Sequence, residues 1–273
     1  MFIKEDKKFR VVFTDGSQIE KSLAPGIYSL TVQETFFGEN YFLEEVNTFK
    51  GKKMINAGIY KEINDIINIH LSPSMHEAKQ LLNLRNKLGL MFQGAPGTGK
   101  TFTAGLIGQR VVDELGGYCI ITKVVKGHRD KTIINEMRSF TDKPIVYIYD
   151  EFEKSFNRND SETLSFLDGV DSPENIVNIA TVNEIKNLPN FVIDRPGRFE
   201  KVIEFRADDK TILKSIINSI VPKKYNNEAF LKRVSDKVDK SANKTIDKLL
   251  IIIRDCLSAQ IYHMQKTATP TVQ

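Results

Sequence analysis

The sequence predicts an α/β fold in which a parallel sheet carries helices on both faces. Between residues 88 and 205, short apolar runs alternate with helical stretches, the pattern of a parallel sheet whose strands are joined by crossover helices. A chain of 273 residues with 41% hydrophobic and 27% charged side chains can bury a core of this kind. The predicted strands are LGLMF at 88–92, CIITKVV at 119–125, IVYIY at 145–149, IVNIAT at 176–181 and KVIEF at 201–205.

Regions of different pattern flank this core, which is predicted to span residues 59–205. Residues 1–58 form a small β-rich region, with strands at FRVVF, IYSLTV and YFLEEV separated by turns at DGS and at Gly38-Glu39-Asn40. From Tyr60 the apolar spacing becomes helical, with a break at 72–74. Residues 206–273 show only helical periods and predict a small C-terminal helical domain, with helix starts at 208–209, 226–227 and 241–245.

Composition and charge exclude several classes of protein. The apolar stretches fall far short of the roughly 18 residues that a bilayer span requires, so no membrane contact is expected. The charged start MFIKEDKKFR does not resemble a secretory signal, and a cytoplasmic location is expected. Cys119 and Cys256 are predicted to be buried apolar side chains. The net charge of +4 is too small to argue for nucleic acid.

The strongest local signal is GAPGTGKT at residues 94–101, which follows a predicted strand and precedes a predicted helix. Glycines let backbone N–H groups turn around a phosphate, and the helix adds its positive end. Lys100 would contact the β- and γ-phosphates, and Thr101 would place its hydroxyl on Mg²⁺. These residues predict a P-loop core that binds ATP and Mg²⁺. The predicted nucleotide-binding residues are Gly94, Ala95, Pro96, Gly97, Thr98, Gly99, Lys100, Thr101 and Phe102.

A second signal, IVYIYDE, is an apolar strand that ends in two carboxylates, Asp150 and Glu151. Ligands bind at the carboxyl ends of parallel strands, which is where this pair is expected. Asp150 would hold the Mg²⁺, and Glu151 would act as the base toward the attacking water, because a metal ligand cannot also serve as that base. An acidic pair alone could equally be a solvated turn, and it is the phosphate loop that favours a catalytic role.

The chain resembles the AAA family of AAA+ ATPases over roughly residues 88–205 in five blocks, which are GAPGTGKT, IYDEFE at 148–153, LDGV at 167–170, ATVN at 180–183 and DRPGRF at 194–199. The resemblance implies that Asn183 senses the γ-phosphate or the attacking water. It implies that Arg195 and Arg198 are arginine fingers that reach the nucleotide of a neighbouring subunit. The implied active state is a ring-shaped homo-oligomer, usually a hexamer, that acts on a protein client, and the N-terminal region would select that client or an adaptor.

The sequence departs from the family pattern in the loop after the second core strand. Many members grip protein there with an aromatic-hydrophobic-Gly motif, whereas this chain has KVVKGHRDK at 123–131, without an aromatic residue. Val125, Lys126 and Gly127 would be a degenerate version, so processive unfolding of a client is not expected. His128 is predicted to be an exposed loop residue.

Several functions remain open at this stage. The favoured function is Mg²⁺-dependent ATP hydrolysis coupled to remodelling of a protein partner. A nucleic-acid-handling AAA+ protein, such as a helicase loader, is the alternative, because residues 200–273 hold 14 Lys and Arg against 9 Asp and Glu. The alternation of signs is more typical of a solvated helical surface. A nucleotide-gated scaffold without hydrolysis is a third class, which the Asp150-Glu151 pair disfavours.

Overall fold

The computed structural model has a sheet of nine strands among the residues it describes, which are 2–5, 8–11, 23–36, 38–52, 54–159, 161–168, 174–193, 195, 197–206, 210–241 and 245–268. The strands are β1 Phe2–Glu5, β2 Lys8–Val11, β3 Gly26–Thr35, β4 Gly38–Glu45, β5 Lys87–Gln93, β6 Tyr118–Thr122, β7 Ile145–Tyr149, β8 Ile176–Val182 and β9 Lys201–Glu204. The helices are α1 Gly58–His70, α2 Pro73–Leu81, α3 Lys100–Leu115, α4 Gly127–Arg138, α5 Phe152–Ser155, α6 Ser161–Asp168, α7 Asn190–Ile193, α8 Lys210–Ile220, α9 Glu228–Asp239 and α10 Ile246–Ala268.

The predicted parallel sheet is confirmed in its strands and their direction. The order of the whole sheet is β1-β2-β4-β3-β6-β7-β8-β5-β9, and the strands from β6 to β9 pair in parallel. Every residue of β7 and β8 is buried, as expected for central strands covered on both faces. The α/β fold class predicted from the sequence is therefore correct.

The N-terminal strands continue the same sheet. β3 pairs with β6 in parallel, with Gly26 opposite Tyr118 and Ser29 opposite Ile121. On its other side β3 pairs antiparallel with β4, which pairs with β2. The end of FRVVF, the DGS turn and the helix start at 208–209 lie outside the described residues, as do parts of the LDGV and DRPGRF motifs and of the helix start at 241–245. The pairing of β3 shows that the β-rich region and the core share one sheet.

The chain forms two compact units whose residues interleave along the sequence. One unit comprises Met1–Met54, Asn68–Gln93 and Lys100–Glu204, and it contains the sheet. The other comprises Ile55–Ile67, Gly94–Gly99 and Phe205–Gln273, and it contains the C-terminal helices. The domain boundaries that the sequence suggests, at residues 58 and 205, remain a prediction.

Local capping explains two of the helix boundaries. Ser72 is the N-cap of α2, where its hydroxyl accepts a hydrogen bond from the Met75 N–H at 3.2 Å, and Pro73 occupies the first helical turn. Asn227 caps α9 in the same way, accepting from the Phe230 N–H at 2.9 Å. Both boundaries agree with the breaks predicted from the sequence.

A close approach of two backbones fixes the position of the segment after α7. A Cβ atom on Gly89 would lie 1.8 Å from the carbonyl oxygen of Arg198, so only glycine fits there. The Gly89 carbonyl accepts a hydrogen bond from the Glu200 N–H at 2.8 Å. This contact holds the predicted arginine segment against β5.

Both cysteines are buried, as predicted. Within the described part of the chain, no helix is both long and apolar enough to span a bilayer.

Candidate nucleotide site

The loop at 94–99 has the backbone conformation that its glycines permit. Gly94, Gly97 and Gly99 have φ angles of 154°, 75° and 90°, a region that other residues rarely adopt. The Thr98 hydroxyl donates a hydrogen bond to the Ala95 carbonyl at 2.8 Å. Ala95 and Pro96 are exposed, whereas Thr98 is buried. The loop therefore has the closed turn that the phosphate-binding motif predicts.

The same loop is anchored to the start of α10 within the unit of C-terminal helices. The Gly97 carbonyl accepts a hydrogen bond from the Ile246 N–H at 2.8 Å. Tyr60 of α1 is buried and packs edge-on against Phe205 with ring centroids 6.1 Å apart.

Lys100 begins α3, and its side chain is buried in the unit that contains the sheet. Its ammonium group donates a hydrogen bond to the Asn183 side-chain oxygen at 3.1 Å. Burial lowers the pKa of Lys100, and the negative charges of Glu153, Asp150 and Glu151 oppose that shift. Two of the predicted site residues, Lys100 and Asn183, are therefore in direct contact.

A network of hydrogen bonds joins the start of α3 to the ends of β7 and β8. The Thr101 hydroxyl donates to Asp150 Oδ1 at 2.5 Å. The Thr181 hydroxyl donates to the same oxygen at 2.8 Å, and it accepts the Glu151 N–H at 2.9 Å. The structure thus brings Thr101 and Asp150, the predicted metal ligands, close to the backbone N–H of Glu151, the predicted base.

The donor set of Thr101 and Asp150 fits Mg²⁺. A hydroxyl and a carboxylate are hard oxygen ligands, and Mg²⁺ is commonly held by one or two such side chains together with water and substrate phosphates. These two oxygen ligands therefore suit a metal whose remaining ligands are water and the phosphates of a nucleotide.

Glu151 has an unusual backbone and an accessible side chain. Its φ and ψ are 55° and 47°, the left-handed region, which is costly for a residue other than glycine. Its carboxylate is 41% exposed and pairs with Lys154 at 2.5 Å. The left-handed turn ends β7 and begins α5 directly after the two carboxylates.

The two predicted arginine fingers lie in different environments. Arg198 is 2% exposed and chelates the Asp168 carboxylate with Nε and Nη2, the second at 2.9 Å. Its Nη1 donates to the Phe191 carbonyl at 2.6 Å. Arg195 is 60% exposed and reaches the same Asp168 at 3.1 Å. Arg195 is accessible to solvent, whereas Arg198 is buried in contacts within its own chain.

Phe102 follows the loop on α3 and is 44% exposed. Its ring lies 5.8 Å from that of Phe49, and the Lys52 ammonium lies 5.3 Å from its centroid. Its predicted nucleotide contact remains a prediction.

The segment at 123–131 does not present the predicted degenerate loop. Val125 is 5% exposed, and Gly127 begins α4 so close to α6 that a Cβ atom there would lie 1.9 Å from the Thr163 nitrogen. Lys126 forms an ion pair with Glu39 of β4. His128 is exposed, as predicted, with 82% of its side chain accessible. These contacts tie the segment to the chain itself.

Two residues of the site were not predicted. Thr181 links Asp150 to Glu151, and Glu153 accepts the Asn183 N–H at 2.9 Å through Oε1. A signal for Thr181 was available, since it belongs to the ATVN block and lies two residues before Asn183. No local pattern distinguishes Glu153 from a surface carboxylate.

The fold and the site define a nucleotide-binding α/β domain, and the comparisons identify its family. Residues 90–207 match the model of the "ATPase family associated with various cellular activities (AAA)". These residues form an ATPase domain of the AAA family.

Three relatives illustrate the similarity. The "ATPase histone chaperone abo1" of Schizosaccharomyces pombe is 25% identical over 182 residues, which are 59% of this chain and 15% of that protein. The "Vesicular-fusion protein SEC18" of Saccharomyces cerevisiae is 30% identical over 193 residues, 59% of this chain and 25% of that protein. An "AAA ATPase forming ring-shaped complexes" of Corynebacterium diphtheriae is 25% identical over 182 residues, 56% of this chain and 35% of that protein.

The aligned segments thus span between 15% and 35% of these relatives. Among solved structures, Caenorhabditis elegans PCH-2 aligns with 75% of this chain and 69% of that chain, at 15% identity and a TM-score of 0.45.

Proposed function

We propose that this protein is an Mg²⁺-dependent ATPase that works as a ring-shaped homo-oligomer and couples hydrolysis to remodelling of a protein partner. The observation that carries the proposal is the network in which Thr101, Asp150 and Thr181 meet beside the Lys100–Asn183 contact. The relatives support the coupling, since one is named a histone chaperone and another forms ring-shaped complexes.

Each residue has a distinct role in the proposed reaction. Lys100 binds the β- and γ-phosphate oxygens. Because the Asn183 side chain contacts Lys100, its amide would lie beside the γ-phosphate. Thr101 and Asp150 would hold the Mg²⁺, whose charge offsets that of the phosphates when it is bound. Glu151 accepts the proton of the attacking water, for which it must leave its pair with Lys154.

Two substitutions test the hydrolysis. Glu151→Gln keeps the shape but removes the base, so ATP should bind normally while turnover falls by a factor on the order of 10² to 10⁴. Lys100→Ala should instead weaken ATP binding itself, because a charge-assisted contact is lost. Calorimetric binding and phosphate release measure the two effects, and Glu184→Gln, a change at an exposed side chain, is the control. Equal turnover in Glu151→Gln and wild type would remove Glu151 from the mechanism.

We infer that the ring uses Arg195 as its finger, because Arg195 is the accessible member of the pair. A finger that completes a neighbour's site makes specific activity rise with protein concentration, and it is typically worth about 10³ to 10⁵ in rate. Arg195→Ala has an intact pocket, and Lys100→Ala has an intact finger. Mixing the two inactive proteins should therefore restore part of the activity. Mixed rings that remain inactive, although native mass spectrometry detects them, would contradict a contact in trans.

The client side of the proposal rests on residues 1–58. The β3–β4 hairpin carries Phe36, a large apolar side chain that is 98% exposed, and this supports a role in contacting a client or adaptor. The domain boundaries 1–58, 59–205 and 206–273, the cytoplasmic location and the limited processivity belong to the same proposal. Co-purification with Glu151→Gln, which should retain both ATP and client, tests it, and substitution of Phe36 by Ser should reduce the captured amount.

The alternative of a nucleic-acid-handling protein is favoured by one observation, the excess of 14 basic over 9 acidic residues at 200–273. It predicts that DNA stimulates the ATPase and that stimulation falls steeply as salt increases. ATPase assays with single- and double-stranded DNA at two salt concentrations separate the alternatives, since a protein-remodelling ATPase should show no stimulation.

A further inference from the structure

Glu153 ends the IYDEFE block, and its carboxylate has no role in the proposed mechanism. It lies on α5, and its Oε1 accepts the Asn183 N–H at 2.9 Å. Its Oε2 is buried without a hydrogen-bond donor among the described residues. A buried carboxylate oxygen that lacks a donor costs free energy, so its presence calls for a compensating role.

The turn that carries Glu153 is anchored by the packing of its neighbour. Its neighbour Phe152 is fully buried and stacks on Phe156 with ring centroids 5.0 Å apart. Phe152 also packs edge-on against Tyr149 at 5.7 Å and Phe199 at 5.7 Å. A side chain on such an anchored turn can hold a partner in place.

Two links connect Glu153 to Lys100. The first is a chain of two hydrogen bonds. Glu153 accepts the backbone N–H of Asn183, and the side-chain oxygen of Asn183 accepts a hydrogen bond from the Lys100 ammonium at 3.1 Å. The second is electrostatic, because the negative charge of Glu153 acts on the buried ammonium group of Lys100. Glu153 therefore acts on both groups that face a γ-phosphate.

We propose that Glu153 is a positioning residue for ATP hydrolysis. Its hydrogen bond fixes the backbone of Asn183, so that the Asn183 amide stays directed at Lys100 and at the γ-phosphate beside it. Its negative charge at the same time limits how tightly the anionic nucleotide is held. This inference rests on the proposed ATPase function and adds a residue to it.

Three variants separate the two effects. Glu153→Ala removes both the acceptor and the charge, and it should lower kcat roughly 10- to 100-fold, as expected when a reacting group is displaced by about 1 Å. Glu153→Gln retains an acceptor but not the charge, and it should recover most of kcat. Both should bind ATP as tightly as wild type or up to several-fold more tightly, because a like charge near the phosphates is lost. Glu184→Ala removes an exposed carboxylate one residue from Asn183 and is the matched control that should leave both quantities unchanged.

A second measurement reports the hydrogen bond without turnover. With ¹⁵N-labelled asparagine, the Asn183 amide proton should lie downfield in wild type and in the control, and it should move upfield in Glu153→Ala. Wild-type kcat in Glu153→Ala, an unmoved amide signal, or ATP binding that weakens in step with kcat would each overturn the proposal. If wild type itself does not hydrolyse ATP, the proposed function fails, and the amide signal alone then decides whether Glu153 positions Asn183.

Discussion

The different burial of Arg195 and Arg198 predicts that their substitution has different effects on stability. Arg198→Ala removes a guanidinium that is 2% exposed and leaves the Asp168 carboxylate, 12% exposed, without its bidentate partner. Breaking a buried ion pair by removing one partner costs about 3–5 kcal/mol. Asp168 retains Arg195 and some contact with water, so we expect the lower end, about 3 kcal/mol.

For a domain of about 150–250 residues, this loss corresponds to a decrease in Tm of about 6–12 °C. Arg195→Ala removes an exposed ion pair, which is worth about 0–1 kcal/mol, and should lower Tm by less than about 4 °C. Scanning calorimetry without nucleotide measures both, and ATPase activity is then measured well below either Tm.

A double-mutant cycle tests whether Asp168 is the partner through which Arg198 stabilises the fold. Asp168→Asn combined with Arg198→Ala should cost less than the sum of the single changes, because both remove the same interaction. If Arg198→Ala has the Tm of wild type but has lost its activity, Arg198 would be an arginine finger. The inference that the buried Arg198 stabilises the fold would then be refuted.

Three further predictions concern other parts of the unit that contains the sheet. Thr181→Val removes the hydroxyl that donates to Asp150, and urea unfolding should show a loss of about 1–3 kcal/mol together with reduced ATPase activity. Burial lowers the pKa of His70 to about 3, so the unfolded state takes up a proton below about pH 6.5 that the folded state does not. Stability should therefore fall by about 1 kcal/mol from pH 7 to pH 5.5, and urea midpoints of His70→Gln should lack this part of the decline. Gly89→Ala places a Cβ atom 1.8 Å from the Arg198 carbonyl oxygen, and circular dichroism should find it largely unfolded or far less stable; a wild-type melting curve would contradict the close approach.

The central sheet and the phosphate loop could be predicted because their information is local. Each buried strand is an apolar run of a few residues, and the loop conformation requires glycine at fixed spacing. The approach of Thr101 to Asp150 follows from the same rules, since Thr101 comes shortly after β5 and Asp150 directly after β7, and the carboxyl ends of these parallel strands lie at one edge of the sheet.

The remaining features depend on pairing between distant segments. Of the strands before residue 58, β2, β3 and β4 correspond to predicted runs, whereas β1 was not predicted. The pattern of a strand does not indicate which strand lies beside it, so the β3–β6 pairing could not be derived. The RPGR motif does not distinguish between its two arginines. Only the fold shows that Arg198 is buried in an ion pair with Asp168. The role of Glu153 likewise depends on a hydrogen bond across 30 residues of sequence.

The pairing of β3 with β6 also protects the core from self-association. β6 reads YCIIT, has no charged side chain, and is covered on one edge by β7 and on the other by β3. A chain cut back to residue 59 would uncover the amide and carbonyl groups of that second edge. An uncharged apolar edge strand is a template on which another copy can add, and such edges promote aggregation. We therefore expect the N-terminal strands to protect the nucleotide-binding core from aggregation. Proteolytic removal of these strands should lead to aggregates in which β6 pairs with a strand of another copy.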